Sequence, residues 1–130
     1  MSILKVVNDI LIFSKEEKGV RWGIRQSAIH SIQFLNANIN KILKEISLEL
    51  NLPENKQLSF NCLSVERRTT NNKDVYDAYI FLGGEEISHL VFYTFYYADY
   101  YDKALECVLH RLLECKEQIA AAINSDKEGY

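Results

Sequence analysis

The sequence predicts an α+β protein in which an antiparallel sheet is covered by two helices on one face. Two observations favour this class. Apolar residues recur at three- and four-residue steps in two segments, which is the period of an amphipathic helix. Polar turns divide the rest of the chain into short segments rich in β-branched and aromatic residues, which favours strands. The predicted order is βββα-βββα, and the simplest packing places both helices on the same face of the sheet.

The first predicted strands form a hairpin. Residues Asp9–Ser14 and the segment VRWGIR flank a charged turn that contains a glycine, as is typical of hairpins. A third strand is predicted near His30–Leu35. An alternative interpretation makes all of 27–50 one helix.

The first predicted helix begins near Asn36 or Asn38, either of which can act as its N-cap. It ends before Pro53, because proline cannot continue a helix. Its apolar face consists of Ile39, Ile42, Leu43, Ile46 and Leu50.

Three strands and a helix are also predicted for the second half of the chain. Strands are predicted for Leu58–Arg68, for VYDAYIFL and for ISHLVFYTFYY. Gly83 and Gly84 supply the positive φ angles that a tight hairpin requires. Asp99 or Asp102 can cap the final helix, whose apolar face contains Leu105, Val108, Leu109, Leu112, Ile119 and Ile123.

The length of the chain, 130 residues, predicts a single domain. We expect this domain to occupy 1–124, because the last segment, 125–130, has no apolar anchor and is predicted to be a disordered tail. A chain of this size can bury a core without metal or disulfide bridges.

The cysteine content and the hydrophobic segments indicate the cellular compartment. Three cysteines, Cys62, Cys107 and Cys115, match no zinc-binding spacing, and the last two are too far apart on one helix for a disulfide. Reduced thiols indicate the cytoplasm. No secretory signal or membrane-spanning run is recognisable, so we expect no membrane association. No motif for a metal or cofactor is present, and none is predicted.

Arginine and tryptophan residues supply the predicted ligand site. Arg21, Trp22 and Arg25 combine two phosphate-binding guanidinium groups with an indole that can stack on a base. Arg67 and Arg68 precede a polar turn that can hold an anion. The alternative for the first set is a core tryptophan with two solvated arginines, and the alternative for the second set is an ordinary solvated hairpin tip.

An aromatic stripe supplies the predicted interface. The stretch LVFYTFYYADYY, from Leu90 to Tyr101, carries seven aromatic residues in twelve positions, more than one small core can cover. We therefore expect a homodimer, because a second copy would cover the rest of the stripe. The predicted interface residues are Phe92, Tyr93, Phe95, Tyr96 and Tyr97.

A catalytic interpretation is less well supported. Glu106, His110 and Glu114 lie at four-residue steps, and an imidazole oriented by a carboxylate can act as a general base. The same spacing is common on solvated helices, and no nucleophile or phosphate loop accompanies it. The sequence therefore predicts that the protein is not an enzyme.

The sequence predicts a non-enzymatic intracellular binding protein, a homodimer that binds or sequesters an anionic, nucleotide-like ligand or acts as a small inhibitor or accessory protein. One alternative is a protein–protein interaction module with no small ligand. Another is a binder of single-stranded nucleic acid, because the element order resembles, in topology alone, that of Whirly-type proteins. None of their sequence motifs is present, and the net charge of −3 weighs against phosphate binding over the whole surface.

Overall fold

The computed structural model describes residues 5–9, 28–68, 73–95 and 100–128. Helix α1 includes residues 5–9, helix α2 spans Ala28–Glu49, and a 3₁₀ turn spans Glu54–Lys56. Strand β1 spans Leu58–Arg68, β2 spans Lys73–Leu82, and β3 spans Glu85–Phe95. Helix α3 spans Tyr100–Glu114, and helix α4 spans Lys116–Glu128. The predicted α+β class is confirmed.

The three strands form an antiparallel sheet with the order β1-β2-β3. Alternate residues of β2 are buried, so one face of the sheet lies against the core. Gly83 and Gly84 join β2 to β3 at φ angles of 62° and 88°, as predicted. A Cβ at Gly83 would lie 2.4 Å from the backbone oxygen of Asn55, so this position also requires glycine for space.

The core joins the sheet to the helices. Helix α2 packs against β1, and α3 packs against β3. Their buried side chains belong to one hydrophobic cluster, which also includes Val6 and Val7 of α1. Within the described residues, no helix is both long enough and apolar enough to cross a membrane.

The strand prediction for His30–Leu35 is wrong, because these residues lie inside α2. The alternative of one long helix agrees with the structure. Leu35 lies four residues before Ile39 and is fully buried beside it on the same face, so the helical period extends further towards the N-terminus than predicted. Asp9, predicted to begin a strand, is helical. The rest of the predicted first hairpin lies outside the described residues.

Helix α2 ends in a Schellman motif. Asn51 adopts a left-handed φ of 54°, and the N–H of Leu52 donates to the carbonyl of Ser47 at 3.0 Å. The N–H of Asn51 donates to the carbonyl of Leu48 at 3.1 Å. Asparagine tolerates this backbone conformation, and Pro53 then prevents the helix from continuing, as predicted.

The final predicted helix is divided into α3 and α4 at Cys115, whose thiol donates to the carbonyl of Ile87 at 3.5 Å. Helix α4 extends to Glu128 and therefore includes residues 125–128, which the sequence places in the tail.

We expect the free energy of unfolding to fall in alkali. Burial, with a smaller contribution from Asp74, raises the pKa of Tyr76 from 10.0 to about 12, and burial raises the pKa of Cys62 from 9.0 to about 11. Because both groups bind their protons more tightly when folded, this stability is complete below pH 9 and is lost between about pH 9 and pH 12.

Urea denaturation followed by circular dichroism at several pH values tests this expectation. Tyr76→Phe removes the phenol, so the decrease above pH 10 should be smaller in this variant. An identical decrease in Tyr76→Phe and wild type would contradict the assignment to Tyr76.

Candidate functional site

A groove of about 340 Å³ lies between β3 and α3. It is lined by Val91, Phe92, Tyr93, Lys103, Glu106, Cys107, His110 and Arg111. The groove therefore combines apolar and aromatic groups from a strand with charged groups and a thiol from a helix.

Strand alternation explains how β3 contributes to the groove. Phe92 points inward and is 4% exposed, while its neighbours Val91 and Tyr93 point outward and are 59% and 49% exposed. Large apolar side chains this exposed are candidates for contact with another molecule. The Nζ atom of Lys73 lies 4.3 Å from the centre of the Tyr93 ring, which adds a cation beside the aromatic group.

The amphipathic pattern of α3 explains the polar wall. Its apolar residues face the core, so Lys103, Glu106 and His110 remain exposed. His110 Nε2 lies 3.9 Å from Glu106 Oε1, and Arg111 Nη1 lies 3.5 Å from Glu114 Oε2. These separations are typical of weak ion pairs on a solvated helix, which contribute little to stability.

The thiol of Cys107 is half-buried in this wall. Burial raises its pKa from 9.0, although Arg111 and Lys103 act in the opposite direction. A thiol with a raised pKa is mostly protonated near neutral pH and is a poor nucleophile. Within the described residues, no group of three or more His, Cys, Asp and Glu side chains could hold a metal ion.

The two edges of the sheet differ. At the β1 edge, side chains of α2 bind the backbone groups that do not pair with β2. Asn40 accepts from the N–H of Phe60 and donates to its carbonyl, both at 2.8 Å. Asn36 accepts from the N–H of Cys62 at 2.7 Å and donates to its carbonyl at 3.3 Å.

Ser47 continues this ladder, since its hydroxyl accepts from the N–H of Leu58 at 3.0 Å. The three strand residues bound in this way, Leu58, Phe60 and Cys62, are alternate residues, as expected for one edge of a strand. Helix α2 therefore takes the place of a fourth strand and covers the β1 edge.

The β3 edge has no such cover within the described residues, where β2 is the one strand paired with β3. The backbone groups of Phe60 bind α2 and therefore point away from β2, so those of its β2 partner Ile80 point towards β3. Backbone direction alternates along each strand, and Leu90 and Phe92 therefore direct their backbone groups towards β2. The backbone groups of His89, Val91 and Tyr93 therefore point outward, beside the groove.

The structure describes only part of the predicted arginine and tryptophan site. Arg21, Trp22 and Arg25 lie outside the described residues. Arg67 lies in β1 opposite Asp74, is partly exposed and acts electrostatically on Tyr76.

Arg68 is the last residue of β1.

The predicted interface is divided between two faces. Phe92 stacks on Tyr76 at 5.0 Å, and its side chain is only 4% exposed although it lines the groove. Alternation along β3 directs its side chain inward and those of Val91 and Tyr93 outward, and its place in the interface stays a prediction. Tyr93 remains exposed, Phe95 ends β3, and Tyr96 and Tyr97 lie outside the described residues.

The sequence interpretation missed Asn36 and Asn40 as strand partners and did not identify the groove. Asn36 was interpreted as a candidate N-cap of the first helix, and Asn40 was given no role. Their four-residue spacing was the available signal, because it places two amides on one side of a helix. Glu106 and His110 were identified as a catalytic alternative, whereas Cys107 was considered only as a reduced thiol.

No protein-family model, curated protein or solved structure matches this chain.

Proposed function

We propose that the protein is a non-enzymatic binding protein that docks a protein partner at the groove between β3 and α3, in the manner of a small accessory or inhibitor protein. The partner contacts the outward edge of β3 and the polar wall of α3. This proposal also takes both α2 and α3 to lie on one face of the sheet, with the other face open.

The difference between the two sheet edges carries the proposal. Proteins protect strand edges because an uncovered edge pairs with other chains. Here the β1 edge is covered by Asn36, Asn40 and Ser47, whereas the β3 edge lies beside a groove and carries the exposed Val91. Addition of a strand to such an edge is a common way of recognising a partner.

The chemistry of the groove supports binding rather than catalysis. An enzyme with a nucleophilic cysteine lowers the pKa of the thiol, whereas the pKa of Cys107 is raised by burial. The 3.9 Å separation of His110 and Glu106 on an exposed surface leaves the imidazole weakly oriented.

An alkylation assay tests this part of the proposal. In a variant with Cys62→Ala and Cys115→Ala, we expect iodoacetamide to react with Cys107 more slowly than with free cysteine at pH 7. The rate should rise until the pH passes 9, because the thiolate is the reactive form. Reaction that is fast at pH 7 and independent of pH above it would favour the enzyme hypothesis.

An anionic, nucleotide-like ligand is the second candidate. Lys103 and Arg111 line the groove with Tyr93, so it offers two cations and an aromatic ring to a phosphate and a base. This is the chemistry that the sequence predicts for Arg21, Trp22 and Arg25, now supplied by other residues. Binding of single-stranded nucleic acid is the weaker form of this candidate, because the chain is acidic.

A cytoplasmic location belongs to the same proposal. The three cysteines are free, and two of them are buried, which suits a reducing compartment.

Selection of peptides on the immobilised protein, followed by nuclear magnetic resonance, tests the proposed function. We expect selected peptides to shift the backbone amide signals of β3 and α3. The variant Val91→Lys should weaken their binding, because it places a charge on the edge strand. Leu48→Lys is the matched control, since Leu48 is equally exposed but lies on α2.

Three further outcomes are informative. Peptides that shift signals only outside β3 and α3 would contradict the proposal. Shifts of the groove signals by adenosine or guanosine nucleotides, without any peptide binding, would favour the second candidate. A steep salt dependence with an oligodeoxythymidine strand, in place of both, would favour single-stranded nucleic acid.

A further inference from the structure

The outward side of α3 carries a seam of four residues. Lys103, Cys107, His110 and Glu114 follow one another at steps of four, three and four residues, and all lie outside the core. These steps average about 3.7 residues, close to the helical period, so the four residues lie on one face that can pack along another helix. The seam borders the groove, which three of its members line.

The seam is complementary to itself when reversed. Its midpoint lies between Val108 and Leu109, so an antiparallel second copy places its Glu114 opposite Lys103 and its His110 opposite Cys107. Each end of the seam thus meets a group of opposite charge. A two-fold axis produces this ion pair twice, because contacts across such an axis are reciprocal.

Strand β3 permits the same symmetry. Val91 and Tyr93 direct their backbone groups away from β2 and lie on either side of Phe92. An antiparallel copy of β3 centred on Phe92 pairs Val91 with Tyr93 of the second copy. A β-branched residue opposite an aromatic one is a favourable cross-strand pair, and both side chains are exposed in the single chain.

One axis can serve both elements. Phe92 lines the same groove as Cys107 and His110, the two seam residues that flank the midpoint of α3. The centre of the strand segment and the centre of the helix seam therefore border the same groove.

We propose that the chain forms a two-fold homodimer in which the β3 edges pair into one continuous antiparallel sheet and the α3 helices pack antiparallel beside them. The inference rests on the proposed docking role of the groove and names the partner as a second copy. Strand pairing and the Val91–Tyr93 contacts supply affinity. The ion pairs between Lys103 and Glu114 fix the register, since exposed ion pairs contribute to specificity more than to affinity.

Sedimentation velocity at low ionic strength tests this arrangement by charge exchange. Lys103→Glu should raise the dimer dissociation constant about tenfold, because it creates two like-charge contacts with Glu114. Glu114→Lys alone should have a similar effect. The double variant, Lys103→Glu with Glu114→Lys, should recover the wild-type constant, since it exchanges the charges without changing their complementarity.

Two controls complete the test. Lys44→Glu makes the same change of charge on an exposed position of α2 and should leave the dimer unchanged. The loss caused by Lys103→Glu should shrink in high salt, because exposed charges are screened. Circular dichroism confirms that each variant is folded.

The outcomes that overturn the inference differ from those that overturn the proposed function. A wild-type protein that remains monomeric at high micromolar concentration, yet binds selected peptides in the groove, would overturn the homodimer and leave the docking role intact. A dimer that Lys103→Glu does not weaken, or that the double variant does not restore, would overturn the arrangement. A dimer weakened by Val91→Lys and not by Leu48→Lys would support it.

Discussion

Replacing Tyr76 with alanine is expected to lower the free energy of unfolding by about 4 kcal/mol, because truncation of a buried aromatic residue leaves a large cavity. Tyr76 is 1% exposed on the central strand. Its ring stacks on Phe92 at 5.0 Å and on Tyr100 at 6.3 Å, so it joins β2 to β3 and α3. Small domains are stable by only about 5–15 kcal/mol, so the variant should be close to unfolded.

Tyr79→Ala is the matched control for this prediction. Tyr79 lies three residues further along β2 on the opposite face, is partly exposed and stacks on His89 at 4.5 Å. Its loss should cost about 1 kcal/mol, the scale of one aromatic pair. Urea denaturation compares the two variants, and equal losses would contradict the assignment of the core face.

Replacing Asn40 with alanine is expected to cost about 2 kcal/mol, because both the N–H and the carbonyl of Phe60 lose their partner. Uncovering part of the β1 edge should also increase aggregation. Light scattering during thermal unfolding measures the second effect.

Asn38→Ala provides the comparison. Asn38 donates to the carbonyl of Phe34 within the same helix at 2.9 Å. Within the described residues, it makes no hydrogen bond to the sheet. Because alanine also favours the helix, this variant should be within about 0.5 kcal/mol of wild type. If Asn38→Ala were as harmful as Asn40→Ala, the role of the amide ladder would be refuted.

The local features of the second half could be predicted from the sequence. The boundaries of β1 and the glycine turn at Gly83 and Gly84 follow from residue types alone, because the strand composition and the positive φ requirement are local. The end of α2 before Pro53 follows in the same way.

The start of α2 and the covered edge of the sheet could not be predicted with the same rules. The segment before Leu35 was interpreted as a strand, whereas Ser31 and Leu35 are both buried inside α2 in the structure. The bonds of Asn36 and Asn40 join residues that are more than 15 positions apart, and no local pattern reveals such pairing.

The candidate site could be predicted only in part. Tyr93 of the aromatic stripe is exposed, whereas its neighbour Phe92 belongs to the core. The groove depends on how α3 lies against β3, which is a property of tertiary packing. No local sequence pattern therefore identifies Lys103 and Cys107 as residues that line the groove.

The outer face of the sheet adds a constraint on how partners dock. His89 pairs with Asp77, and Tyr79 stacks on the imidazole, so the charged groups there are already engaged with neighbours on the same face. A partner at the β3 edge therefore meets Val91 and Tyr93 without displacing this pair.

The central claim is that the β3 edge, rather than the β1 edge, is the docking edge. Backbone hydrogen exchange measured at low and high protein concentration tests it most directly. The account predicts that the amides of His89 and Val91 exchange more slowly as concentration rises, whereas those of Phe60 and Cys62 are protected equally at both concentrations. Protection that rises with concentration at Phe60 and Cys62, with no change at His89 and Val91, would contradict it.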